Sequence, residues 1–221
     1  MSRFPAPLDR LLRRVHARWV RMTSGTRLQV RGSRNTLQLT GSQLRGCTVE
    51  MSGDDNRLEI APGAKLWDVR IEFHGSRLTC RIGADMRFCG GQVTLTDAGS
   101  RIEIGANTTM FNPIIVAQEG SAVVVGADCM FAYGVDLRSS DGHSILEAGT
   151  RQRLNPPADV HIEDHVWIGI HSQILKSVRI GRDAIVAARS VVTKSVPSGV
   201  IVAGNPAKVI RESVTWDRER I

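Results

Sequence analysis

The sequence predicts an all-β fold: a parallel β-helix of triangular coils with a short helix at each end. Three observations carry that prediction. First, six successive hexapeptides from Ile162 read IEDHVW, IGIHSQ, ILKSVR, IGRDAI, VAARSV and VTKSVP. Their first place is always aliphatic (Ile162, Ile168, Ile174, Ile180, Val186, Val192). Their fifth place is always small or β-branched (Val166, Ser172, Val178, Ala184, Ser190, Val196). A period of six suits neither a helix nor a simple alternating strand. It suits short straight segments joined by regular corners, three segments to a coil of about eighteen residues, with each coil packed on its neighbours. Second, a looser repeat covers 53–137, with coils opening on Gly-Ser or Gly-Asp and carrying Ile82-Gly-Ala-Asp, Ile104-Gly-Ala-Asn and Val125-Gly-Ala-Asp. Third, aromatic residues are 5% of the chain while glycine occurs 21 times, which suits a thin aliphatic core.

The segments follow in order. Residues 1–26 are expected to hold a basic amphipathic helix over 7–22, with Leu8, Leu11, Leu12, Val15 and Trp19 on one face and Arg10, Arg13, Arg14, Arg18 and Arg21 elsewhere. It reads as a cap on the open solenoid end or against a neighbouring subunit. The alternative is peripheral contact with a membrane surface. Residues 27–203 form the β-helix. Residues 204–221 are expected to hold a short helix over 206–218, because Pro206 suits a helix start.

The frame breaks once. Sixes counted from Val125 reach Phe131, Leu137 and then His143, where an aliphatic residue is due. A histidine fills such a slot poorly. The frame resumes at Ile162, so 144–159 is a loop inserted into a rigid scaffold, a common place for function. A single histidine beside a glycine turn also occurs as an ordinary solvated loop residue, and the broken register is what favours chemistry.

The formal net charge of +7 favours anionic partners. Four scattered cysteines, Cys47, Cys80, Cys89 and Cys129, suggest neither a zinc knuckle nor a disulfide framework. With no signal-peptide pattern or bilayer-length apolar run, the protein is expected to be cytoplasmic, or peripheral to the inner membrane through its first helix. No stacking-aromatic motif accompanies the basic charge, so no nucleic-acid partner is expected.

Four elements in order, "SSDGHSI" (139–145), "VWIG" (166–169), "AARSVVTKSVP" (187–197) and "AGNPAKVIRE" (203–212), resemble the hexapeptide-repeat acyltransferases. The resemblance is to sugar and polysaccharide O-acetyltransferases and to galactoside and maltose acetyltransferases. It implies a left-handed β-helix, a homotrimer with sites between subunits, acetyl-CoA as co-substrate, no metal, and a carbohydrate acceptor. By the same resemblance His143 is the general base. Trp167 walls the acceptor site, and Asp141, at the corner before His143, and Asn112, from the neighbouring chain, are read as positioning the acceptor. Ala188, Thr193, Lys194, Lys208 and Arg211 bind the co-substrate. Ile170 and Arg189 depart from the family pattern. The acceptor expected first is a hydroxyl of a capsule or lipopolysaccharide sugar or its precursor. A free sugar, an amino sugar or an antibiotic is the alternative, and a non-catalytic scaffold a more distant one. A zinc site like that of γ-class carbonic anhydrases is weighed against these, because His161, His165 and His171 cluster in sequence and the last two are expected on one outer face. Their spacing and the lack of a matching upstream histidine argue against it.

Overall fold

The computed structural model describes residues 21–22 and 25–221. Their strands form three parallel faces of a solenoid of about eight turns. The chain visits a ten-stranded face, then an eight-stranded face, then a seven-stranded face, and begins again. One such circuit is Lys65–Trp67, Arg70–His74 and Thr79–Ile82. Each strand pairs in register with its counterpart one coil away, as Arg87 does with both Lys65 and Thr109.

The inward column is the one the hexapeptides mark. Ile162, Ile168, Ile174, Ile180, Val186 and Val192 are buried, and so are Val166, Ser172, Val178, Ala184, Ser190 and Val196. Phe131 and Leu137, the two slots before the break, are buried too. Each such side chain removes apolar surface from water and stacks on the equivalent residue of the next coil.

Two corner columns explain many of the polar residues. Gly41, Gly63, Asp85, Asn107, Asp128, His165, Asp183 and Gly199 precede the ten-stranded face, and all have positive φ. Gly25, Gly46, Asp68, Gly90, Asn112, Gly134, His171 and Arg189 do the same before the eight-stranded face. Left-handed backbone favours glycine, then asparagine and aspartate. The corner before the ten-stranded face is the position that the Gly-Ala-Asp and Gly-Ala-Asn pieces encode. His165 and His171 therefore stand at successive corners of one coil, not on one outer face, because a step of six residues is one side of the triangle.

The helix expected over 7–22 lies outside the described residues except for Arg21–Met22, which form a strand. The helix expected over 206–218 is not formed. Ala207–Glu212 is a strand, paired antiparallel to Val200–Gly204 with Gly204 opposite Ala207. Pro206 follows a cis peptide in the turn of this hairpin. The physical reason is the open edge of the last coil. Folding back supplies Val200–Gly204 with a second set of backbone partners that a helix would not provide. The tail then runs along the corner column. Trp216 is buried, stacks on the His165 ring at 4.3 Å, and donates through Nε1 to the His165 carbonyl oxygen at 2.8 Å. Arg218 donates to Asp128 Oδ1 at 3.0 Å and to the Cys129 carbonyl oxygen at 3.0 Å.

Candidate active site

The solenoid opens after Asp136–Arg138, the strand that carries Leu137 inward. Met130 pairs with Trp167, so this coil spends 37 residues where the next, from Trp167 to Ile185, spends 18. Ser139 and Ser140 are the last buried residues before the chain turns outward at Asp141. The Ala158 N–H returns to the Ser139 carbonyl oxygen at 3.0 Å, closing the insertion on its own root. Between these points the loop forms a small hairpin, with Leu154 N–H donating to Ile145 O and Glu147 N–H to Gln152 O.

His143 stands on this turn with its side chain exposed. It lines a shallow depression with Gln118, Arg138, Ser140, Asp141, Gly142, Leu175 and Lys176. Its imidazole makes no hydrogen bond to the described residues. Asp141 is committed elsewhere. Its Oδ2 accepts from Lys176 Nζ at 2.6 Å and from Asn155 Nδ2 at 2.6 Å. These two donors, Lys176 first, hold the Asp141 carboxyl below its usual range. Among the described residues no carboxylate pairs with the His143 imidazole.

A second tie anchors the loop to the preceding coil. Arg153 grips Glu119 with both terminal nitrogens, Nη2 reaching Oε1 at 3.0 Å. Ser140 Oγ donates to the same oxygen at 2.5 Å. Arg153 above all, then Ser140, pulls the Glu119 carboxyl down to about 2.

The structure brings His143 and Asp141 together, while the other expected residues lie elsewhere on the chain. Trp167 begins a strand of the ten-stranded face and is partly exposed. Its near aromatic neighbour is Trp216 at 6.2 Å, and it does not line the His143 depression. Asn112 occupies a left-handed corner with φ 48°, a conformation that accounts for an asparagine by itself. Ala188, Thr193, Lys194, Lys208 and Arg211 are exposed and gather on the last coil and its hairpin. Lys194, Lys208 and Arg211 have no carboxylate partner among the described residues, so their charge is available to phosphate. His161, His165 and His171 do not converge on a point. His161 lies beside Asp159, His165 between Asp128 and Asp183, and His171 edge-on to Tyr133.

Sequence reasoning missed Glu119, Arg153, Asn155, Lys176 and Trp216. No periodic signal marks them: Arg153 and Asn155 fall in "TRQRLN" (150–155), a stretch that reads as an ordinary polar loop.

A solenoid of this kind, broken once to present a histidine, defines a class that the comparisons with known proteins make specific. The family described as bacterial transferase hexapeptide (six repeats) matches residues 159–194. A polysialic acid O-acetyltransferase of Neisseria meningitidis is 32% identical over 190 residues, covering 85% of this chain and 88% of that protein. Another, from Escherichia coli O1:K1 / APEC, is 38% identical over 120 residues, which are 54% of this chain and span only 39% of that protein. The crystal structure of the polysialic acid O-acetyltransferase OatWY superposes with a TM-score of 0.85 at 30% identity, covering 89% of this chain and 92% of that one. The chain belongs to the hexapeptide-repeat acetyltransferases.

Proposed function

We propose that the protein transfers an acetyl group from acetyl-CoA to a hydroxyl of a cell-surface polysaccharide or its sugar precursor, with His143 as general base. The observation that carries this reading is His143 itself, exposed at the break of the solenoid in a chain similar along most of its length to polysialic acid O-acetyltransferases. A sugar hydroxyl is a poor nucleophile near neutral pH. A neutral imidazole removes its proton as the oxygen attacks the thioester carbonyl. The tetrahedral intermediate then expels CoA thiolate, and the imidazolium returns the proton to that sulfur. Acid, base and leaving group balance without an acyl-enzyme. The unpaired Lys194, Lys208 and Arg211 suit the CoA phosphates, and Ala188 leaves room for the pantetheine arm.

The working unit in this reading is a homotrimer in the cytoplasm, with each site completed by a neighbour. Its support is the exposed apolar surface on strands, corners and loop: Phe111, Tyr133, Ile145, Leu154, Trp167 and Ile170. The separate location of His143 and the co-substrate cations within one chain agrees with that arrangement.

His143→Ala tests the base. The expected loss in kcat is about 10²–10⁴-fold with the fold unchanged by circular dichroism. Activity within about tenfold of wild type overturns the assignment.

A further inference from the structure

The loop that presents His143 is exposed or half-buried along its length, with one exception. Between Asp141 and Asp159, Asn155 alone is buried, at 8% exposure. It lies twelve residues beyond His143, yet its amide is used on every side. Nδ2 donates to the His143 carbonyl oxygen at 2.8 Å and to Asp141 Oδ2 at 2.6 Å. Oδ1 accepts from the Ile145 N–H at 2.6 Å. The Asn155 carbonyl oxygen accepts from Lys176 Nζ at 3.0 Å, and the same ammonium holds Asp141.

These bonds fall on both sides of one residue. The carbonyl after the His143 Cα and the N–H two residues on are held by a single planar amide. Asp141, two residues before, is held by its other donor bond. Lys176, which follows the regular strand Gln173–Ile174, ties the group to the scaffold. The His143 backbone is therefore located from the solenoid, although its ring has no hydrogen bond to the described residues.

We infer that Asn155, backed by Lys176, is a positioning residue that holds the His143 backbone where its imidazole meets the acceptor hydroxyl. This rests on the general-base reading of His143. A base carried on an unpinned turn samples orientations in which its nitrogen is out of reach. Displacements of about 1 Å can cost on the order of 10²-fold in rate. Asn155 acts through the backbone on either side of His143 and makes no bond to its ring.

Asn155→Ala, His143→Ala and the double variant are compared by steady-state kinetics, with melting temperatures measured alongside. Asn155→Ala is expected to lower kcat by about 10–10²-fold. KM for acetyl-CoA should stay within about twofold, and the shape of the pH–rate profile should be unchanged. In the His143→Ala background the same substitution should alter the residual rate by less than about twofold, because there is no base left to position. An equal fractional loss in both backgrounds, or a kcat within about threefold of wild type, overturns the inference and leaves the base reading standing. An active His143→Ala enzyme removes the base reading, and the positioning role falls with it. If Asn155→Ala does not fold, Lys176→Met and Lys176→Arg decide. Methionine should lower kcat and arginine restore it, and equal kcat values for the two overturn the inference.

Discussion

The coils before the insertion and the coils after it share one architecture but differ in girth. From Lys65 to Arg87 to Thr109 each coil takes 22 residues, whereas from Trp167 to Ile185 it takes 18. The wider coil turns Leu66, Val69, Ile71, Phe73, Leu78, Cys80, Ile82 and Met86 inward. The narrower one turns in only Ile168, Ser172, Ile174, Val178, Ile180 and Ala184. The difference lies in strand length: Arg70–His74 has five residues where Gln173–Ile174 has two. A wider triangle needs larger contents, and the buried phenylalanines Phe73, Phe88 and Phe131 all precede the insertion. It also needs help at one corner. Before the seven-stranded face the wide coils place Asn35, Asn56, Leu78, Ser100 and Ser121, whereas Val178 of the narrow coil continues the inward column of Leu58, Cys80, Ile102, Val123 and Val160. The strict six-residue frame is thus the small case of a more general coil. The insertion carrying His143 falls where one gives way to the other.

The sharpest test of that difference is to empty each kind of core. Phe88→Ala is expected to cost about 3–5 kcal/mol, because the wide coil has no neighbour able to close the space. Ile174→Val in a narrow coil should cost only about 0.5–1.5 kcal/mol, since one methylene is lost between closely stacked branched side chains. Denaturant unfolding of both variants measures this. Equal losses would break the distinction between the two regions.

The corner column gives the next effect. Asn56 is buried, donates from Nδ2 to the Gly75 carbonyl oxygen at 2.9 Å, and accepts at Oδ1 from the Leu78 N–H at 3.0 Å. Asn56→Ala strands both backbone groups, at about 1–3 kcal/mol for each that stays dry. The narrow coil from Trp167 to Ile185 contains no asparagine and has no such amide to lose. A melting temperature within error of wild type for Asn56→Ala would show that water replaces the amide and that the corner is not sealed.

The strict region was also the legible one. Every inward residue from Ile162 to Val196 could be numbered from the sequence, because one aliphatic and one small side chain recur without exception. The wide coils showed only as recurring Gly-Ser and Gly-Ala-Asp pieces, since corner amides and longer strands blur the period. His143 was visible as a missing aliphatic slot. What surrounds it was not: Glu119 and Arg153 meet across 34 residues with no periodic mark, and Asn155 reads as one more loop residue. Asn112 and His165 carry a second, conformational reason for their residue type. Their types suggest site roles in the sequence, and each also stands at a corner whose left-handed backbone recurs from coil to coil. The end hairpin was misread as a helix because Pro206 serves a turn as well as it serves a helix start, and only the open edge of the last coil decides between them.

The smallest effect concerns the join between the two regions, where Glu119 of the last wide coil holds the inserted loop through Arg153. The Glu119 carboxyl titrates at about 2 in the folded protein, below its ordinary 4.5. A depressed carboxylate contributes stability that is complete above the ordinary value and is lost as pH falls through the folded one. The tie should therefore be intact above about 4.5 and released progressively down to about 2. Asp141, also held below its usual range, adds to the same acid dependence through Lys176. Amide exchange at Glu147 and Leu154, corrected for its intrinsic pH dependence, reads the hairpin directly. In the wild-type protein the protection of these amides should fall across that window, with the solenoid amides on either side unaffected. Glu119→Gln should begin with weaker protection and lose less of it, because only the Asp141 contribution remains to titrate. Superimposable acid profiles for the two proteins would show that the loop is held by Asn155 and Lys176 alone, and that the wide coils end at the insertion without gripping it.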